Sequence, residues 1–378
     1  MNLDEIRPRV RLILKKLSPR PEEDDGERTY VEFKPRERFP LPELVLLILR
    51  DVLGLPEDMP LDKTRWTIPF AYDGSFYVAE LRRFGFTIIT EKRHPPGSRL
   101  TNEVLGALGQ AAGVVEAHLE AFAAAQAKEG AVTVRNDFGT FDETYRFFRA
   151  RAAAAYGEPT PPPKVVRNED GTSTSEHDLF KPQREGGHYA GAMMNAYFSR
   201  TEHFLVLSLA FTSLDLGGGA LVDFIRKKWS EKMRSLFDLP RDKTAKLLHE
   251  RIKSLRDSLR NPLSHGGFEQ GHRSMYFHVP GVGAMPARMT RRKDGVHFVF
   301  APIGHRSFED ICALLDEFDV YLAKRLPYAW AWAESGLDVA YDSKSRAWYA
   351  SGMSSRDAFE RVIESTARGE DRHNNFED

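Results

Sequence analysis

Residues 187–214 carry apolar side chains on almost every side of a predicted α-helix. A helix that is apolar around most of its circumference is usually buried at the centre of a bundle. The pattern therefore predicts a helical bundle in this part of the chain, with 187–214 surrounded by other helices. The side chains that set the pattern are Met193, Met194, Tyr197, Phe198, Phe204, Leu205 and Leu209.

Three further segments, 220–237, 242–259 and 307–326, have the apolar spacing of amphipathic helices. Because each needs a partner for its apolar face, we expect all three to pack around the first helix, in a bundle that spans 187–330. Between the last two segments, two runs rich in β-branched and aromatic residues predict a β-hairpin insertion at about 272–303. We expect the two strands of this insertion to be joined by a basic loop.

The N-terminal region, 1–156, has a different pattern. Three short runs between 66 and 91 are rich in β-branched and aromatic residues and are separated by the turn sequences DG and RRFG. They predict a three-stranded antiparallel meander, covered by a long alanine-rich helix over about 101–128. Further helices are predicted at 2–17, 41–55 and 142–156. The region is therefore expected to be an α+β domain.

Residues 157–186 contain a PTPPP run and a polar TSTS stretch, with almost no periodic apolar pattern. Such a composition is typical of a linker, so we place the domain boundary there. After the bundle, 331–378 is expected to hold a helix near 354–366 and a charged tail. The overall prediction is a mainly α protein with a minor β component.

Composition narrows the class of protein. With 378 residues, of which 41% are hydrophobic, the chain can bury two cores. Its single cysteine, Cys312, excludes an intramolecular disulfide and suits a reducing compartment. No apolar run approaches the roughly 20 residues that span a bilayer, and the first residues lack the apolar core of a signal peptide. We therefore expect a soluble, cytoplasmic protein.

The third bundle segment ends in the sequence KSLRDSLRNPLSHGG, residues 253–267. Pro262 should kink or end the helix where Arg260, Asn261 and His265 meet. Backbone groups freed there, with an arginine and a histidine, can bind an anion, whereas an ordinary helix C-cap is the alternative interpretation. An arginine and a histidine separated by four residues occur four times in the chain, but only this pair ends an amphipathic bundle helix.

Positive charge is concentrated before this motif, although the chain has a net charge of −1. Residues 226–260 hold 12 Lys or Arg against 5 Asp or Glu, a surplus of 7. A concentrated basic face is expected where a protein contacts a phosphate backbone, and a solvated helix face is the alternative. We predict RNA contacts at Lys253 and Arg256 on the helix and at Arg288, Arg291 and Arg292 in the insertion.

A helical bundle with RNPLSH at the end of a late helix resembles the HEPN superfamily. The signature of that superfamily is an arginine, four to six residues and a histidine, commonly with a polar residue after the arginine. The segment AYFSRTEHFLVLSLAF, residues 196–211, also resembles the first bundle helix of prokaryotic HEPN proteins, including its glutamate, here Glu202. The resemblance covers 187–325. Pro262 inside the motif and the β insertion depart from the minimal pattern of the family.

The resemblance implies a metal-independent endoribonuclease, often a toxin or antiviral effector, that acts as a homodimer through its helical bundle. It implies catalytic positions at Arg260, Asn261, His265 and Glu202. In the corresponding hypothesis, His265 transfers a proton to or from the ribose, because an imidazole pKa near 6.5 suits either role. Arg260 binds the scissile phosphate. Asn261 orients either the imidazole of His265 or the phosphate. The alternative for Glu202 is a solvent-facing carboxylate or a structural partner of an arginine.

Glycine-rich stretches of the chain lack the Walker lysine, and the sequence has no HExxH or CxxC pattern, so we expect no metal or other cofactor. His203 and His249, on bundle helices, are predicted to be packing residues. Two other classes of function remain open: a non-catalytic RNA- or nucleotide-binding module with an N-terminal sensing domain, and a structural dimerisation domain. A toxin would also need an antitoxin or a trigger protein.

Overall fold

A computed structural model describes residues 2–20, 29–35, 38–59, 63–168, 171–176, 178, 181–257, 275–292, 295–299 and 305–375. Helices far outweigh strands among these residues, which confirms a mainly α protein with a minor β component. The chain forms two compact units. The first comprises Met1–Glu129 with Glu364–Asp378, and the second comprises Gly130–Ile363.

The first unit is built on a five-stranded antiparallel sheet of order β1-β3-β4-β5-β2. Its strands are β1 Leu17–Pro19, β2 Tyr30–Phe33, β3 Thr64–Tyr72, β4 Ser75–Arg82 and β5 Gly85–Glu91. The three central strands form the predicted meander, and Asp73 and Gly74 both have positive φ in its first turn. The two edge strands were not predicted, because strands of three and four residues are too short to show an alternating pattern.

One face of this sheet packs against helices. They are α1 Arg7–Ile13, α2 Pro42–Leu46, which continues as a π-helical turn Leu47–Val52, and α3 Arg99–Glu129. Alternate residues of β3 (Trp66, Ile68 and Phe70) belong to the same hydrophobic core as Val104 and Leu108 of α3. The long alanine-rich helix therefore covers the sheet, as its position in the sequence predicted.

The second unit consists mainly of helices. They are α4 Phe138–Gly157, α5 Lys181–Leu207, α6 Ala220–Arg226, α7 Trp229–Leu236, α8 Lys243–Leu255, α9 His305–Arg325, α10 Pro327–Ser335, α11 Ser343–Gly352 and α12 Arg356–Asn375, of which α12 continues past Ile363. Buried side chains occur along α5 at almost every position from Met193 to Leu207, so this helix is central, as predicted. The C-terminal region holds three helices where one was predicted, because α10 and α11 are short.

The predicted domain boundary differs from the one that the structure shows. The first unit ends at Glu129 rather than after 156, because α4 packs against α5 in the second unit. The predicted linker holds a two-stranded hairpin of β7 Lys164–Arg167 and β8 Ser173–Glu176, and α5 begins at Lys181. The predicted helix 220–237 is two helices, because the backbone is extended at Lys227 and Lys228.

The insertion has three strands instead of two. They are β9 Met275–Val279, β10 Gly283–Arg292 and β11 Gly295–Val299, in the order β11-β10-β9. The segment that was predicted to be a basic loop is the central strand β10, which forms antiparallel ladders with both neighbours. Ladder hydrogen bonding on both sides outweighs the low apolar content that made this segment resemble a loop. A short pair, β6 Thr133–Val134 with β12 Val339–Ala340, completes the strands that are described.

A buried ion network joins three helices of the second unit. The guanidinium of Arg200 on α5, whose side chain is only 4% exposed, donates to Asp142 on α4 and to Asp319 on α9. The rings of Tyr145 and Tyr197 lie 4.8 Å and 4.9 Å from that guanidinium, and the Tyr197 hydroxyl donates to Asp319 at 3.0 Å. Burial raises the pKa of Asp319, whereas Arg200 lowers it, so the ionised carboxylate depends on its arginine.

Replacing Arg200 with glutamine should leave the carboxylate of Asp319 without its arginine and that of Asp142 with only the exposed Arg146. We expect Arg200→Gln to lower the free energy of unfolding by about 3–5 kcal/mol. The matched control is Arg146→Gln, because Arg146 also binds Asp142, at 2.5 Å, but from a side chain that is 77% exposed. The control should cost less than about 1 kcal/mol. Urea denaturation followed by circular dichroism measures the unfolding free energy of both variants. Equal losses in the two would contradict a special role for the buried Arg200.

Helices α4 and α5 approach closely at Gly186. A Cβ atom added there would lie 2.6 Å from ring atoms of Tyr156, whereas a Cβ added at the next residue, Gly187, would meet only the Tyr156 hydroxyl at 3.9 Å. The helix pair therefore requires a glycine at one position and tolerates a larger residue at the other.

Alanine substitutions at these adjacent positions should have opposite effects. Gly186→Ala is expected to destabilise the fold by about 1–3 kcal/mol through overpacking against Tyr156. Gly187→Ala should be neutral, or stabilising by up to about 1 kcal/mol, because alanine has the higher helix propensity. Thermal denaturation of the two variants measures these effects. If Gly186→Ala is as stable as Gly187→Ala, the two helices can move apart at Tyr156 without loss of unfolding free energy, and the close contact is not required.

Candidate functional site

Helix α8 is the element that leads into the RNPLSH motif. Its N-cap is Asp242, whose side chain accepts a hydrogen bond from the backbone N–H of Ala245 at 2.9 Å. The predicted apolar stripe is buried at Leu248, Ile252 and Leu255. The helix thus begins and packs as its sequence predicted, and Leu255 is its last residue.

The motif itself lies beyond the described part of this helix. Arg260, Asn261, Pro262 and His265 fall between Asp257 and Met275, outside the described residues. The roles inferred from the resemblance for Arg260, Asn261 and His265 therefore stay predictions.

The two basic residues near the end of α8 have different surroundings. Arg256 is only 17% exposed; its guanidinium lies 5.7 Å from the ring centre of Trp229 and donates to Asp257 at 3.1 Å. Lys253, one turn earlier, is half-buried. Arg256 therefore has a packing role that the charge pattern did not indicate, since its aromatic partner lies on another helix.

His249 on α8 is hydrogen-bonded to Ser230 on α7, with 2.7 Å between the imidazole Nε2 and the hydroxyl oxygen. Both side chains are buried, and the imidazole stacks on the indole of Trp229 with ring centres 5.6 Å apart. Burial lowers the pKa of His249, and the positive charges of Arg234, Lys253 and Arg256 lower it further, while Glu250 opposes them. His249 is thus a packed, hydrogen-bonded histidine, as predicted.

Glu202 on α5 accepts a hydrogen bond from the ammonium group of Lys232 at 2.5 Å. The lysine side chain is 3% exposed and the glutamate side chain is 44% exposed. This carboxylate therefore compensates a buried cation, which is a structural role of the kind considered above, with lysine in place of arginine. Sequence reasoning missed Lys232, because its burial depends on the packing of α7 against α5.

The three arginines predicted to contact RNA from the insertion lie on the central strand β10. Arg288, Arg291 and Arg292 occupy register positions opposite Val299, Val296 and Gly295 of β11, respectively. They belong to a strand rather than to the loop in which they were predicted.

His203 on α5 has a backbone partner. Its Nε2 accepts a hydrogen bond from the N–H of Asp137 at 3.0 Å, and its ring contacts Phe141 edge-on. Accepting through Nε2 requires the neutral imidazole with its proton on Nδ1. Burial lowers the pKa of His203, against an opposing effect of Asp137. This histidine also packs as predicted.

Comparison of the chain with family models, with curated proteins and with solved structures gave no match. None of the helices in the described ranges combines the length and the apolar character that a membrane-spanning segment needs. The same residues include no group of three or more His, Cys, Asp or Glu side chains that could hold a metal ion.

Acidification should weaken the fold through His203. Because its folded-state pKa lies below the ordinary value of about 6.5, its stabilising effect is complete above that pH and is lost as the pH falls through the lowered pKa. His203→Gln keeps a hydrogen-bond acceptor that does not titrate. We expect this variant to lose less unfolding free energy than the wild type between about pH 7.5 and about pH 5.

Urea denaturation at the two pH values provides the measurement. The control is His188→Gln, at an exposed position on the same helix, and it should show the wild-type pH dependence. The same loss in His203→Gln and the wild type would exclude the bond to Asp137 as the source of acid sensitivity.

Proposed function

We propose that this protein is a metal-independent endoribonuclease that cleaves RNA to 2′,3′-cyclic phosphate ends, with Arg260 and His265 as its catalytic pair. The observation that carries the proposal is the packing of α8, the bundle helix that precedes the motif in the sequence. This helix buries its apolar stripe in the bundle and holds Lys253 near its end. Its last residue, Leu255, precedes Arg260 of the RNPLSH sequence by five positions. Its packing supports a motif that is presented at the end of a bundle helix.

In the proposed reaction, the ribose 2′-oxygen attacks the adjacent phosphorus and the bond from phosphorus to the 5′-oxygen breaks. His265 takes the proton of the 2′-hydroxyl as general base, or gives a proton to the leaving 5′-oxygen as general acid. Arg260 donates two N–H groups to the non-bridging oxygens and stabilises the charge that develops on them. Asn261 orients the imidazole or the phosphate. A substrate without the 2′-hydroxyl, such as DNA, cannot undergo this reaction.

Glu202 enters the proposal as the partner of Lys232 and not as a proton-transfer group. Its contact with a buried ammonium supports a role in holding α5 and α7 together. Exchange of that carboxylate for a neutral group would leave a buried cation uncompensated, which is costly.

We further propose, from the family resemblance, that the protein acts in the cytoplasm as a homodimer joined through its helical bundle. A toxin or an antiviral-defence effector is the biological role that fits such an activity. An enzyme of this kind needs a restraint, so an antitoxin or a trigger protein is proposed as a partner, with the first unit as the sensing part.

The test is cleavage of total RNA and of tRNA in EDTA by the wild type, Arg260→Ala and His265→Ala. Loss of a general acid or base should reduce the rate by about 10²-fold or more, and the wild-type products should end in 2′,3′-cyclic phosphates. The control is His278→Ala, because Arg273 and His278 have the same spacing but His278 lies exposed on β9. It should cleave like the wild type.

Cleavage by His265→Ala at the wild-type rate would exclude the proposed site. RNA binding without cleavage by the wild type would identify the non-catalytic binding module instead.

A further inference from the structure

A second cluster of polar and charged residues lies where α7 meets α8. The hydrogen bond between Ser230 and His249 joins one face of α7 to one face of α8. The indole of Trp229 lies against this junction, stacked on the imidazole with an interplanar angle of 1°. Residues that share those two faces are therefore brought together, because side chains three or four positions apart lie on one side of a helix.

Three cations lie on or next to these two faces. Arg234, which is exposed, lies one turn after Ser230 on α7. Lys253 lies one turn after His249 on α8, and Arg256 is the C-cap of that helix. The effect of all three charges on the pKa of His249 supports their proximity. Two acids lie nearby, the exposed Glu250 and Asp257, which Arg256 binds. The cluster therefore carries more positive than negative charge.

The floor of the cluster is fixed and uncharged. His249 is buried and held by Ser230, and the stacked indole of Trp229 also supports the guanidinium of Arg256. The indole N–H of Trp229 is buried and has no hydrogen-bond partner in the part of the chain that the structure describes. A guanidinium that is held on a buried ring, as Arg256 is, loses little conformational entropy when it binds an anion.

We propose that Arg234, Lys253 and Arg256 form a binding site for the phosphodiester backbone of the RNA strand, an inference that rests on the proposed ribonuclease function. Cations without a base-reading partner bind phosphates rather than sequence. Arg256 precedes Arg260 of the motif by four residues, so the site is adjacent in the sequence to the proposed catalytic pair. Arg234 was not identified from the sequence, because its place beside α8 depends on the contact between Ser230 and His249.

The site is tested by the binding of fluorescently labelled single-stranded RNA to the full-length chain. Binding is followed by fluorescence anisotropy in EDTA over a series of salt concentrations. All proteins carry His265→Ala, which prevents cleavage of the probe. We expect Arg234→Gln together with Lys253→Gln to weaken binding by about tenfold at low salt and to reduce the salt dependence by about one unit of slope for each lost phosphate contact. The matched control is Lys344→Gln, exposed on α11.

If the double variant binds RNA with the same affinity and the same salt dependence as Lys344→Gln, the proposed phosphate site is overturned. Cleavage of RNA by the wild type would then leave the proposed function intact and show that the strand is held elsewhere. Failure of the His265→Ala parent protein to bind RNA, together with failure of the wild type to cleave it, would overturn both proposals. Circular dichroism of the double variant confirms that it is folded, since both substituted side chains lie outside the buried core.

Discussion

The second unit depends on one buried arginine. Arg200 compensates two carboxylates that lie on α4 and α9, and it stacks among aromatic rings from α4 and α5. A charge removed from water is costly unless its partners are well placed, so the network favours packing that brings these three helices together at Arg200. Helix α9 then holds α8, because the Tyr321 hydroxyl on α9 donates to the N-cap Asp242 at 3.0 Å. The position of the helix that leads into the motif thus depends on this buried network.

Part of the cationic surplus around α7 and α8 is neutralised within the fold. Several of its members are bound by acids within the fold: Arg256 by Asp257, Lys232 by Glu202 and Arg251 by Glu317. A count of charges along the sequence therefore overstates the number that can meet a phosphate. The exposed Arg234 and the half-buried Lys253 are the better candidates for that contact, with Arg256 held in place on Trp229.

Patterns with a clear period predicted their elements well. The stripe of α8, the central position of α5, the long α3 and the meander all follow from residues close together in the chain. Elements with a weak period were missed. The edge strands β1 and β2 are too short to show an alternating pattern. The strand β10 is basic and has no clear apolar pattern, and the backbone ladders that make it a strand leave no signal in its side chains. The break between α6 and α7 falls at two lysines that helices usually accept.

Periodicity was enough to predict the mainly α class, the buried face of each long helix and the packing role of His203 and His249, because the spacing of apolar residues within a helix decides which face has to be buried. The tertiary structure decided which charges are paired. Arg200 binds residues 58 and 119 positions away, and Glu202 meets Lys232 at a separation of 30. No local pattern encodes such contacts, so the assignment of α4 to the second unit, the role of Glu202 and the place of Arg234 required the packed fold.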